Sequence, residues 1–161
     1  MYTHLTAHSS YSLQEGLLSP SDLVEAAQAR GMQALGLTDH YLLTGAVEFV
    51  NACKNVDIQP VIGLEIDLKD GPLHLFAMSV EGWSNLCRLS SAIALRDEPD
   101  LICTLQMLAA YSADLLALGS HSLEELKPIF QDRLYVSLQD ITSAFELSKL
   151  ATMLTFNLLS D

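Results

Sequence analysis

Positive charge is scarce in this chain: 8 Lys and Arg face 20 Asp and Glu, for a net charge of −12. A surface of that sign repels phosphate backbones, so tight nucleic-acid binding by this domain alone is not expected. A bound cation would reverse the local sign, so chemistry on a phosphate ester stays open. Cysteine is sparse too. Cys53, Cys87 and Cys103 are widely spaced and odd in number, which argues against a disulfide framework and for reduced, mostly buried thiols of a cytoplasmic protein. No apolar run approaches about 18 residues and no basic-plus-apolar leader is present, so neither a membrane span nor a signal peptide is expected. A Gly-x-Ser-x-Gly elbow, a phosphate-cradling glycine loop and a cysteine pair at zinc spacing are all missing, which removes the best-marked hydrolase, nucleotide and zinc-module signatures. Aromatics make up 7% and charged residues 17%. The low charged fraction fits either a surface covered by another domain or chain, or a well-packed monomer.

The 161 residues are 50% hydrophobic, mostly Leu, Ala, Val and Ile, enough for one domain with a substantial core. Strand and helix signals alternate. Tyr2 to His8 reads as a short strand. Ser19-Pro20 caps a helix with proline at its first position, Leu23, Val24, Ala26 and Ala27 recur at helical spacing, and Gly31 ends it. Ala34 to Thr38 reads as a buried strand, Gly45 to Lys54 as a helix and Gln59 to Leu68 as a strand. Lys69-Asp70-Gly71-Pro72 predicts a hairpin whose return strand is Leu73 to Ser79. A helix over Trp83 to Leu95, an acidic loop at Asp97-Glu98-Pro99 and a Thr104-capped helix ending near Tyr111 follow. Next come a strand over Asp114 to Leu118, a capping box at Ser122-Leu123-Glu124-Glu125, and a strand over Leu134 to Gln139. A final helix runs from Asp140 to about Leu154, and Thr155 to Asp161 could add one more strand. The alternation predicts a mostly parallel α/β architecture, barrel or doubly wound, in one domain.

Of the five histidines, His8, His40, His74 and His121 fall at or near predicted strand ends or on an alternating strand, with Glu15, Asp39 and Glu65 close by. Strand ends are where α/β folds assemble their chemistry. Mixed imidazole and carboxylate donors suit zinc, manganese or iron, and a multi-metal site lowers the pKa of a bound water and clamps a phosphate ester for in-line attack. A strand-end histidine is equally at home as a hydrogen-bonded turn residue, so spacing alone leaves both readings open. His4 shares strand parity with Thr6 and His8, but at roughly 13 Å from His8 along a strand it is too far to share an ion. Asp39 either caps the next helix or orients an imidazole from behind.

Taken in order, His4-Leu5-Thr6-Ala7-His8-Ser9-Ser10-Tyr11-Ser12-Leu13, Gly36-Leu37-Thr38-Asp39-His40, Gly45-Ala46-Val47-Glu48-Phe49 and Gln59-Pro60-Val61-Ile62-Gly63-Leu64-Glu65 resemble the PHP (polymerase and histidinol phosphatase) domain. The form it resembles is the one found at the N-terminus of the bacterial DNA polymerase III alpha subunit. Leu73-His74-Leu75 and Gly82-Trp83-Ser84-Asn85-Leu86 fit the next blocks. The resemblance is strong through about Leu95 and collinear, though weaker, to Gln139. It implies a distorted (β/α)7 barrel, incomplete at its C-terminus here, with ligands converging at the C-terminal ends of the strands. Active members bind up to three ions and hydrolyse phosphoesters, an activity linked in polymerases to 3′–5′ proofreading or pyrophosphate removal.

Position by position, the resemblance implies His8, Glu15, His40, Glu65, His74 and His121 as metal ligands. The first histidine of the family's His-x-His pair is Thr6 here. The closing Asp-x-His falls near Leu158-Leu159-Ser160. Thr6, Leu158 and Ser160 are therefore degraded positions, and one or two ions of zinc, manganese or iron, or none, are expected. The leading expectation is a PHP domain over residues 1–161, an excised N-terminal piece of a polymerase alpha subunit. Such a domain would be mainly structural, bracing the remaining polymerase domains and docking the proofreading exonuclease subunit. A stand-alone PHP phosphoesterase using His8, Glu65, His74 and His121 is the enzymatic alternative, and a metal-free interaction module is the third.

Overall fold

A computed structural model describes residues 2–96 and 101–137. The expected acidic loop at 97–99, the helix from Asp140 and the tail containing Leu158 and Ser160 lie outside the described residues.

Local signals account for most element boundaries. Helix α1 (Pro20–Ala29) opens on a full capping box: Ser19 accepts from the Asp22 N–H, and the Asp22 carboxylate accepts from the Ser19 N–H. Helix α2 (Ala46–Asn55) follows strand β1 (Ala34–Leu37). Helix α3 (Val80–Ala94) starts three residues before the expected Trp83, because the Ser79 hydroxyl accepts the Gly82 N–H and sets the cap there. Thr104 caps α4 (Leu105–Tyr111) as expected. Helix α5 (Leu123–Phe130) is present, but its expected capping box is not. Ser122 is left-handed (φ 52°), and its hydroxyl donates to the Asp70 carboxylate 3.0 Å away, on the hairpin loop, so a tertiary partner outcompetes the local one.

Strands β2 (Gln59–Leu68), β3 (Gly71–Ala77), β4 (Leu115–Gly119) and β5 (Leu134–Val136) join β1 in a five-stranded sheet of order β1-β2-β3-β4-β5. The sheet is mixed rather than mostly parallel: β1–β2 and β4–β5 are parallel, β2–β3 and β3–β4 antiparallel. The two-residue Lys69-Asp70 turn forces the β2–β3 pairing, since a tight hairpin can only return the chain antiparallel. The expected strand over Tyr2–His8 reduces to a single bridge, His4 beside Leu35, continued by the Thr38 N–H donating to the Ala7 carbonyl. The approach is close: a Cβ on Gly36 would lie 1.9 Å from the Leu5 carbonyl oxygen, so only glycine lets the N-terminal segment lie along β1.

Alternation along the strands divides the faces. Leu64, Ile66, Leu73, Leu75, Leu115 and Ala117 pack with Leu86, Leu89, Leu108, Leu126 and Phe130 of the helices into one core. Val24, Ala27, Leu35, Leu37, Phe49 and Cys53 form a second under α1 and α2. The intervening positions, Glu65, Asp67 and His74, point to the opposite face of the sheet. Cys53 and Cys103 are buried and free, their thiols pushed up to about 11 by loss of water. Among the described residues no helix is long and apolar enough to cross a membrane.

Candidate metal centre

The hairpin register places Glu65 directly opposite His74. On the other flank of β2, a parallel bridge sets His40 beside Glu65, with the Tyr41 N–H donating to the Glu65 carbonyl and the Glu65 N–H to the Asp39 carbonyl. His8 arrives from the N-terminal segment and Glu15 from the loop after it. That loop is tightly wound: the Glu15 and Gly16 N–H groups both donate to the Ser12 carbonyl, and a Cβ on Gly16 would lie 1.9 Å from the Ser9 carbonyl oxygen. Asp39, only 2% exposed, ties the loop to β1 by accepting from the Ser9 N–H, the Ser9 hydroxyl and the Ser12 hydroxyl at 2.7–2.8 Å. The Ser12 hydroxyl in turn accepts the His40 N–H. Among the described residues Asp39 therefore caps no helix and makes no hydrogen bond to an imidazole. It fixes the loop between His8 and His40.

These placements generate an alternating imidazole–carboxylate chain. His74 Nε2 lies 2.6 Å and His8 Nε2 2.9 Å from the same Glu65 oxygen, Oε2. His8 Nδ1 lies 3.3 Å from Glu15, whose other oxygen is 2.9 Å from His40 Nδ1. His40 Nε2 lies 3.2 Å from Asp67 Oδ2, and the Tyr41 hydroxyl donates to that oxygen at 2.9 Å. Burial alone would push the Glu65 carboxyl up. The hydrogen bonds and charges of His74 and His8 outweigh it and hold the carboxyl at about 2. The hydrogen bond to Glu65 raises His8 above its ordinary 6.5 despite partial burial, and the Glu65, Glu15 and Asp39 charges add to the effect.

Among the described residues two sets of donor atoms each lie within 4.8 Å of one another: His8, Glu65 and His74, and Glu15, His40 and Glu65. Glu65 belongs to both. Imidazoles with carboxylates are the donors that zinc, manganese and iron take, and sharing one carboxylate is how neighbouring ions are bridged.

Five of the six residues singled out from sequence are thus brought together. His121 is not: it is exposed, and its ring packs against Gly71, where a Cβ would lie 2.7 Å from Cδ2. Thr6 is half-buried on the segment that carries His8. Sequence reasoning missed Asp67 and Tyr41. A signal existed for Asp67, two residues after Glu65 and so on the same face of β2. None existed for Tyr41, whose role depends on a left-handed backbone (φ 59°).

The family description that fits the chain is the PHP domain, over residues 4–147. The DNA polymerase III alpha subunit of Halalkalibacterium halodurans is 37% identical over 118 residues, 70% of this chain and 11% of that protein. An error-prone DNA polymerase of Symbiobacterium thermophilum is 40% identical over 99 residues, 61% of this chain and 9% of that protein. The alpha subunit of Bacillus subtilis is 36% identical over 107 residues, 62% of this chain and 10% of that protein. The chain spans about a tenth of the length of these curated relatives. Among solved structures, a protein of Bifidobacterium adolescentis classed as a metal-dependent phosphoesterase matches with a TM-score of 0.53 at 13% identity, over 83% of this chain and 75% of that one. A two-domain Bacteroides vulgatus protein with a PHP-like phosphoesterase domain matches with a TM-score of 0.52 at 13% identity, over 91% of this chain and 41% of that one. At such identities the likeness speaks for the fold, the (β/α)7 barrel of PHP proteins.

Proposed function

This chain belongs to the PHP domain family, and from that footing we propose that it is the N-terminal PHP domain of a replicative DNA polymerase alpha subunit, with a partly degraded metal site and a mainly structural role. The observation that carries the reading is the convergence of two donor groups on Glu65, beside a His-x-His position that holds Thr6. The residues needed to hold an ion in each group are there, while one end of the ligand set is lost at Thr6. In this reading Leu158 and Ser160 are further losses, and His121 serves the hairpin turn rather than the ion.

The donor set fits one or two ions of zinc, manganese or iron. His8, Glu65 and His74 would hold one, and Glu15, His40 and Glu65 the other. A bound divalent ion would supply Lewis acidity toward a phosphoryl oxygen and a more acidic water. The chain's own part is orientation. Hairpin register sets Glu65 against His74, and the Asp39-anchored loop sets Glu15 between His8 and His40. The proposed partners are the remaining polymerase domains and the proofreading exonuclease subunit. The net charge of −12 argues against direct tight contact with DNA.

The intact pair of donor groups also favours a second reading, a PHP phosphoesterase that retains hydrolysis. Elemental analysis of the untagged chain, purified without added metal, tests both, together with turnover of a phosphodiester and of 3′-labelled single-stranded DNA. Near-stoichiometric metal without turnover is expected. Metal with turnover supports the phosphoesterase. A cooperatively melting chain without metal would overturn the site and leave a scaffold.

A further inference from the structure

Asp67 and Tyr41 lie beside the donor groups without belonging to either. His40 presents its two nitrogens to different carboxylates: Nδ1 to Glu15, a member of the donor group, and Nε2 to Asp67, which stands outside it. A neutral imidazole carries one N–H and one lone pair, and a ring bound to a metal donates its remaining N–H to a supporting acceptor. The Asp67 carboxylate is placed as that acceptor.

Asp67 is itself pinned. Its Oδ2 accepts the Tyr41 hydroxyl at 2.9 Å, and its backbone N–H donates to the same hydroxyl at 3.1 Å. Tyr41 is the residue after His40, and its ring stacks on the imidazole with centroids 4.3 Å apart and planes 18° from parallel. To reach both partners it adopts a left-handed backbone, φ 59°, which is strained for an aromatic residue. Its N–H donates to the Glu65 carbonyl, and its carbonyl accepts the Ser90 hydroxyl at 2.6 Å, so the conformation is held from both sides. A conformation so costly, braced by α3 and β2, places one hydroxyl on one carboxylate and one ring face on one histidine.

Resting on the metal-site reading above, we propose that Asp67, held by Tyr41, is a positioning residue that accepts the Nε2–H of a metal-bound His40 and so turns Nδ1 toward the donor group of Glu15 and Glu65. In the metal-free chain the Glu15 carboxylate, 2.9 Å from Nδ1, competes for the same ring proton, so the arrangement is tested with Zn²⁺ present.

The experiment is ring nitrogen NMR of His40 in the full chain with Zn²⁺ added, alongside Zn²⁺ titration by calorimetry. The parent is expected to show His40 protonated on Nε2. Asp67→Ala should shift the ring toward the Nδ1–H tautomer and weaken Zn²⁺ binding by about 10- to 100-fold. Asp67→Asn, whose amide oxygen still accepts, should restore most of the preference. If Asp67→Ala does not fold, Tyr41→Phe, which keeps the ring and removes the hydroxyl, should loosen the preference in the same direction. An Nδ1–H tautomer in the parent, or one unchanged by these substitutions, overturns the proposal. A parent that takes up no Zn²⁺ overturns the metal reading and the proposal with it, whereas a parent that binds Zn²⁺ as tightly as Asp67→Ala overturns the proposal alone.

Discussion

Glu65 and His74 face each other across the β2–β3 hairpin as a direct cross-strand pair, with 2.6 Å between Oε2 and Nε2. A tight turn of two residues fixes that register, and a slip of one residue would move the whole return strand to the other face. The same oxygen accepts His8 from 57 residues away. The site is therefore built outward from one carboxylate on the longest strand.

That centrality separates two substitutions. His74→Ala removes a donor from one group only, so metal content should fall while the group of Glu15, His40 and Glu65 still binds. Glu65→Ala removes the shared donor and should abolish both. Metal-to-protein ratios by elemental analysis check this, and equal metal in His74→Ala and the parent would refute its assignment as a ligand.

Thr6→His restores the donor that the family pattern places there. If the site is degraded at that position, occupancy by Zn²⁺ or Mn²⁺ should rise, and thermal stabilisation by added metal with it. A variant that holds no more metal than the parent would argue that Thr6 is not the weak point.

The metal-free chain should show a pH optimum of stability. His8 has a folded pKa above its ordinary 6.5, so its contribution is full below about pH 6.5 and is lost as pH rises through the raised value. Glu65 is held at about 2 against an ordinary 4.5, so its contribution is full above about 4.5 and is lost as pH falls toward 2. Tm in chelator-treated buffer should be highest between these limits and decline in mildly alkaline buffer. The increase in Tm on adding metal should run the other way, growing with pH, because the ion displaces the histidine protons. A flat profile in both conditions would show that the imidazole–carboxylate contacts contribute nothing.

Asp39→Ala leaves the Ser9 N–H and the hydroxyls of Ser9 and Ser12 without their acceptor in a buried place. The loss should be roughly 3 kcal/mol or more in urea unfolding, since each stranded group costs about 1–3 kcal/mol. Glu15 rides on that loop, so metal affinity should fall as well, whereas a purely stabilising role would leave it unchanged.

Gly36→Ala tests the N-terminal segment. The added Cβ meets the Leu5 carbonyl at 1.9 Å, and a backbone atom cannot yield as a side chain can. Destabilisation at or above the ~1–3 kcal/mol usual for overpacking is expected by denaturant melt, with displacement of His8.

What could be read along the chain was what acts over a few residues. Serine and threonine before an apolar repeat marked the starts of α1 and α4, because a cap needs only the next turn of backbone. Alternation marked β2 and β3, and the Lys69-Asp70-Gly71-Pro72 run marked the turn between them, while the register that sets Glu65 opposite His74 came with the folded hairpin. The block order around His8, His40 and Glu65 carried the PHP resemblance. Folding in three dimensions decided the rest. Ser122 was drawn from its expected cap to Asp70 on another element, and the first strand shrank to one bridge because only Gly36 lets it approach. Tyr41 joined the site through a left-handed backbone that no periodicity encodes. Local hydrogen bonding and side-chain parity are properties of a segment, whereas convergence on Glu65 from residues 8, 15, 40 and 74 is a property of packing, and only the packed sheet could supply it.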